Sequence, residues 1–139
     1  MKYIIYTDGG SRGNPGPAAA AFIVKSEGGE VLAEKGAFLG VATNNEAEYA
    51  AVIKALELMV LDYKDLKSAE IEVRADSKLV VEQLSGNWKI KNERIRVLCN
   101  QVKQLESNLG KIEYKYIPRD LNHEADLIVN ITLDNQKVF

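Results

Sequence analysis

A single cysteine, Cys99, among 139 residues leaves no internal disulfide and no cysteine-rich zinc site. No apolar run reaches the ~20 residues of a membrane span. Met1-Lys2-Tyr3 leads straight into a strand pattern, with no secretory h-region. A reducing cytoplasm and no membrane partner are expected. A net charge of −2 is far from that of a generic nucleic-acid coat protein, although it leaves room for a local basic patch. Repeats and low-complexity linkers are missing too, and glycine and proline concentrate in residues 9–17. What is present is 46% hydrophobic and 27% charged, enough for a real core. One domain over residues 1–139 is expected.

Residues 2–8 read as a strand, followed by the turn-rich stretch 9–17. Segments 18–25 and 31–39 are strand-like and flank Glu27-Gly28-Gly29-Glu30, a hairpin signal. Helix is predicted from about Thr43 to Leu61, over 77–85 and over 92–107, with strands at 69–75 and 111–117. A last helix begins near Asn122. Strands first, then alternating helix and strand, predict an α/β fold with a mixed sheet. The late strands are reached by helical crossovers and run parallel to the first.

Acidic residues stand in four of these elements: Asp8, Glu48, Asp76 and Asp126. Asp8 closes the first strand and opens the glycine-rich turn, while Asp76 closes the strand at 69–75. Both are expected at carboxyl ends of parallel strands, where open α/β sheets keep their sites. Thr43 and Glu46 form a Thr-x-x-Glu capping box that sets the helix start. Counted from it, Glu48 shares a face with Val52, Ala55, Leu56 and Met59, and Glu46 points toward water. A carboxylate leading an apolar stripe is costly unless it is paired, metal-bound or reaches solvent at the stripe's open end. Taken singly, Asp8 also fits an ordinary turn residue, and Asp76-Ser77 an ordinary helix N-cap. Asp126 is surrounded by Leu127, Ile128, Val129, Ile131 and Leu133, so helical phase does not show where it points. Carboxylates gathered without a cationic partner repel one another and persist together where divalent metal neutralises them. An all-oxygen set suits Mg²⁺ or Mn²⁺. Two-metal phosphodiester cleavage is the chemistry this pattern points to.

The segments TDGGSRGNPGPA, TNNEAEYAA, ADSKLVVEQL, WKIKN and RDLNHEAD follow one another in this chain. In that order, from Met1 to about Leu133, they resemble type 1 ribonuclease H. The resemblance implies a five-stranded mixed sheet flanked by helices, with strands 1–3 antiparallel and strands 1, 4 and 5 parallel. It implies two Mg²⁺ ions, with Mn²⁺ as a substitute, ~3.5–4 Å apart. Asp8 would bridge both ions, Asp126 would complete the nucleophile side, and Glu48 with Asp76 the leaving-group side. The implied reaction hydrolyses the RNA strand of an RNA–DNA hybrid to 5′-phosphate and 3′-hydroxyl ends, carried out by a monomer. Double-stranded RNA is an alternative substrate, and an inactive hybrid-binding module of the same fold is the rival reading.

By the same similarity, Ser11, Asn14, Asn44 and Asn45 would meet 2′-hydroxyls of the RNA strand, the group that distinguishes RNA from DNA. Thr43 and Asn92 match positions that hold a DNA-strand phosphate. Around Asn92, the residues Trp88, Lys89 and Lys91 interleave an aromatic with cations, which also fits a tucked-in tryptophan beside a solvated face. Longer members carry a basic protrusion between the tryptophan and the Lys-Asn pair. Here the two are nearly adjacent, so weaker and more salt-sensitive binding is expected. His123 stands three residues before Asp126 and does not match the mobile-loop histidine of some members. A surface or capping role is expected for it, with Arg119 or Glu124 as substitutes in proton transfer. Cys99 shares a helical stripe with Ile95, Leu98, Val102 and Leu105, as a core residue would.

Overall fold

Strand pairing organises the chain. The computed structural model describes residues 1–63 and 66–136 and contains a five-stranded sheet in the order β3-β2-β1-β4-β5. β1 (Lys2–Ser11), β2 (Gly16–Ser26) and β3 (Val31–Ala42) are antiparallel neighbours. β4 (Glu70–Ala75) and β5 (Lys111–Tyr116) join in parallel. The expected orientations are those observed. The hairpin between β2 and β3 closes where expected, with Gly29 at φ +92° and its N–H donating to the Ser26 carbonyl.

β1 differs from the sequence reading in one respect that matters for the site. It continues three residues past Asp8, through Gly9 and Gly10 to Ser11, instead of turning. Glycine is a poor strand former, but β2 pairs with every one of these residues, from Asp8↔Ala21 to Ser11↔Ala18. The parallel pairing with β4 stops at Thr7↔Ala75, so Asp8 and Asp76 are the next residues along two adjacent strands as they part. Gly9 is required at this point, because a Cβ there would lie 2.3 Å from the backbone of Ala47.

α1 (Asn44–Asp62), α2 (Lys78–Leu84) and α3 (Glu93–Glu106) pack on one face of the sheet. Their apolar stripes meet Ile5, Phe22, Val24, Ile71 and Val73 in the main core. Val52, Ala55, Leu56 and Met59, the stripe led by Glu48, are all at most 1% exposed. Each large aliphatic side chain buried this way contributes about 1.5–3 kcal/mol. Cys99 is buried in this core, as its stripe predicts.

α4 (His123–Gln136) covers the other face, where Val129 and Leu133 rest on Ala19 and Ala21 of β2. Ile128, Val129 and Ile131 are poor helix formers, yet the helix spans 14 residues. Packing overrides propensity. Small residues on the strands receive the bulky ones on the helix, and Gly36 of β3 is where the fit is closest. A Cβ on Gly36 would stand 2.3 Å from Thr132 Oγ1 and 2.7 Å from Ile128 Cγ2.

Candidate active site

The parting of β1 and β4 leaves a cleft of about 420 Å³ whose walls include Asp8, Glu48, Asp76, Asp126 and Arg119. Each acidic residue arrives by a different route. Asp8 lies inside β1 on the α4 side, opposite Ala21, and Asp76 follows the last residue of β4. Glu48 enters from the first turn and a half of α1, whose start is set by the expected capping box. Thr43 Oγ1 accepts from the Glu46 N–H at 3.1 Å, and Glu46 Oε1 accepts from the Thr43 N–H at 2.9 Å. Glu46 is therefore bent back on the helix end, half-buried, and does not extend into water. Asp126 sits in the first turn of α4, half-buried and turned toward the sheet.

Asp8, Glu48 and Asp76 each offer a carboxylate oxygen, and these atoms lie within 4.8 Å of one another. Asp126 falls outside that tight group but faces the same cleft, and its charge adds to the rise in the proton affinity of Asp8. Among the described residues no lysine or arginine forms an ion pair with any of the four. The consequence is visible in their proton affinities. Burial, then the Asp76 charge, push Asp8 from 3.8 up to about 7. Burial and the charges of Asp8 and Asp76 also raise Glu48 well above the ordinary glutamate range, against the pull of the Gly9 N–H, which donates to Glu48 Oε1 at 2.6 Å. An all-oxygen donor set with uncompensated negative charge fits divalent cations of the Mg²⁺ and Mn²⁺ kind.

Next to the carboxylates, the residues expected to meet the RNA strand hold one another in place. The Ser11 N–H donates to Asn44 Oδ1 at 2.8 Å, and the Asn44 N–H donates to Asn14 Oδ1 at 3.0 Å. Asn44 and Asn45 are exposed and line this cleft as well as a second one on the far side of the α1 N-terminus. That second cleft, of about 760 Å³, gathers Thr43, Lys89, Lys91 and Asn92. Trp88 is 44% exposed and lines neither. His123 is exposed and outside the acidic cleft, in keeping with a surface role. Glu124 pairs with Lys25 at 3.2 Å, and Arg119 lies on the cleft wall.

One residue was not singled out from the sequence beyond marking a helix start. Asn122 is 1% exposed, and its Nδ2 donates to the Thr7 carbonyl at 2.8 Å and to Asp76 Oδ2 at 3.2 Å. It ties β1, the end of β4 and the start of α4 together at the site. Its Oδ1 is buried with no partner among the described residues. An asparagine four positions before a candidate ligand, at a helix start, was the available signal.

Comparison with known proteins decides the family. A family model described as reverse transcriptase-like matches residues 6–132. The crystal structure of LC11-RNase H1 in complex with an RNA/DNA hybrid superposes with a TM-score of 0.93 at 38% identity, covering 96% of this chain and 98% of that one. The chain belongs to the type 1 ribonuclease H family. Ribonuclease HI of Halobacterium salinarum (strain ATCC 700922 / JCM 11081 / NRC-1) is 40% identical over 130 residues, 94% of this chain and 63% of that protein. The bifunctional protein Rv2228c of Mycobacterium tuberculosis (strain ATCC 25618 / H37Rv) is 44% identical over 135 residues, 96% of this chain. This chain spans 36% of that mycobacterial relative, so the correspondence concerns a ribonuclease H portion of a longer protein.

Proposed function

We propose that this chain hydrolyses the RNA strand of RNA–DNA hybrids, leaving 5′-phosphate and 3′-hydroxyl ends. One observation carries the reading: carboxylates from four elements meet in one cleft without a cationic partner among the described residues. Asp8, Glu48, Asp76 and Asp126 would hold two divalent ions, Mg²⁺ or Mn²⁺. Bound there, such ions would supply Lewis-acid chemistry, the activation of water and the stabilisation of the departing 3′-oxygen. The chain's own contribution is placement. Asp8 belongs to the tight group with Glu48 and Asp76 and also feels the Asp126 charge, so it is the carboxylate suited to serve both ions. The Gly9 N–H orients Glu48, and Asn122 orients Asp76. Arg119, on the cleft wall, supplies positive charge for the substrate phosphate. Exposed Asn44 and Asn45 present amides where the strand being cut would pass, within reach of 2′-hydroxyls.

The test is one assay with labelled RNA–DNA hybrid, double-stranded RNA and duplex DNA, each with Mg²⁺, Mn²⁺ or chelator. Hybrid should be cut with either ion, the chelator should stop it, and duplex DNA should survive. Cleavage of double-stranded RNA at a comparable rate would replace hybrid specificity with a broader one. Asp8→Asn should lower turnover by more than about 10³-fold. Hybrid left intact under every condition, or full activity in Asp8→Asn, would reject the nuclease reading.

A further inference from the structure

The second cleft, beyond the α1 N-terminus, has a polarity that its individual residues do not reveal. Thr43 and Asn92 cap α1 and α3 there, so two helix N-termini face one space. Thr43 Oγ1 accepts from the Glu46 N–H, and Asn92 Oδ1 accepts from the Ile95 N–H at 3.2 Å. A third polar side chain on the same wall, Gln83, is only 9% exposed, and its Oε1 accepts from the Tyr49 hydroxyl at 2.8 Å. Each of the three commits its acceptor to the protein. What remains toward the cleft is a hydroxyl hydrogen and two amide NH₂ groups, none with a partner among the described residues. Lys89, Lys91 and Arg94 add positive charge to the lining. The carboxylate present, Glu46, is held by the Thr43 N–H. A wall of donors and cations selects an acceptor-only, anionic group, and a phosphodiester is such a group.

We propose that Gln83 is a phosphate-binding residue for the strand that is not cut, held in its donating orientation by Tyr49. This rests on the nuclease reading above, because the acidic cleft lies on the opposite side of the α1 N-terminus and takes the strand being cut. Tyr49 is suited to fix the amide: it is fully buried, and burial raises its hydroxyl far above neutrality, so it remains a donor. Its hydroxyl can therefore satisfy the carbonyl end of Gln83 and leaves the NH₂ end outward. A buried amide also needs no desolvated charge, which a lysine at this position would carry.

Gln83→Glu keeps the size and the acceptor for Tyr49 but replaces the donor with negative charge. KM for hybrid should rise about tenfold or more, with kcat at saturation within about twofold. Gln83→Leu and Tyr49→Phe, with thermal unfolding measured for all three, separate a binding effect from a folding one. The decisive readout is a series of hybrids carrying one neutral methylphosphonate linkage at successive positions, along the DNA strand in one set and along the RNA strand in another. Wild-type protein should show a KM penalty at the contacted linkage, and Gln83→Leu should lose most of that penalty at the same linkage. Tyr49→Phe should lose part of it. An unchanged KM in Gln83→Glu, or identical penalty profiles in wild type and Gln83→Leu, would overturn the proposal while leaving the nuclease reading standing. A penalty lost at an RNA-strand linkage instead would overturn the strand assignment. Wild-type protein that leaves hybrid intact would remove both.

Discussion

Asp8 and Glu48 are carboxyl groups kept where charge is least welcome, and their proton affinities give the sharpest residue-scale expectation. Both folded-state values lie above the ordinary ones, Asp8 moving from 3.8 to about 7. Groups shifted upward stabilise the fold below their unfolded pKa, and that stability is lost as pH rises through the folded value. Without divalent ions, the melting temperature should therefore fall between about pH 4 and pH 7. Asp8→Asn should flatten that decline and gain about 1–2 kcal/mol at pH 7.5. Mg²⁺ should stabilise wild type more than the variant. A pH-independent melting temperature in the metal-free protein would show that the carboxylates are not in mutual repulsion. Glu72 acts oppositely: burial alone would raise it, but Arg74 and Lys115 bring it below the ordinary range. Its contribution disappears only under acid, below the Asp8 window. Asn122→Ala should cost about 1–3 kcal/mol and lower activity about 10- to 100-fold, since it strands the Thr7 carbonyl and frees Asp76. Calorimetric Mn²⁺ titration should show weaker binding in that variant. His123→Ala should change kcat by less than about tenfold, as befits a group outside the cleft.

At the scale of elements, the site depends on close approaches that only small residues permit. Gly9 lets β1 press against the first turn of α1, and the same contact delivers its N–H to Glu48. Gly36 does the equivalent between β3 and α4. A methyl there meets Thr132 and Ile128 near their Cβ atoms, where no rotamer change gives much relief. Gly36→Ala should destabilise by about 1–3 kcal/mol and displace α4, with Asp126 on it. Thr132→Ala in the same chain should restore part of both stability and activity. If Gly36→Ala melts and cuts like wild type, the helix is not seated as described. α4 also shows why its form was hard to foresee. Its β-branched residues argue against helix locally, and the alanines and glycine that accommodate them lie about a hundred positions earlier.

For the whole molecule, a net charge of −2 must coexist with the polyanionic hybrid proposed as its substrate. Binding then depends on local cations, Lys89, Lys91 and Arg94 around the second cleft and Arg119 on the first. The short connection from α2 to α3 carries no basic protrusion to add to them. KM for hybrid should climb steeply between about 50 and 200 mM salt, more than in family members that have the protrusion. A flat salt dependence would show that phosphate contacts contribute little.

Local pattern was enough for much of this. Alternation and helical spacing placed every strand and each long helix within a few residues. The capping box set the phase that aims Glu48 inward, and five ordered segments pointed to the family. These properties depend on neighbours along the chain, so they can be read from it. Convergence cannot. That Asp8 lies inside a strand, that Asp126 faces the same cleft, that Asn122 holds Asp76 from behind and that Gln83 lines the second cleft follow from contacts between residues dozens of positions apart. Pairing with β2 carried β1 past its glycines, and packing on small strand residues oriented α4. Both are long-range energies that outweigh local propensity, and they appear only when the chain is folded.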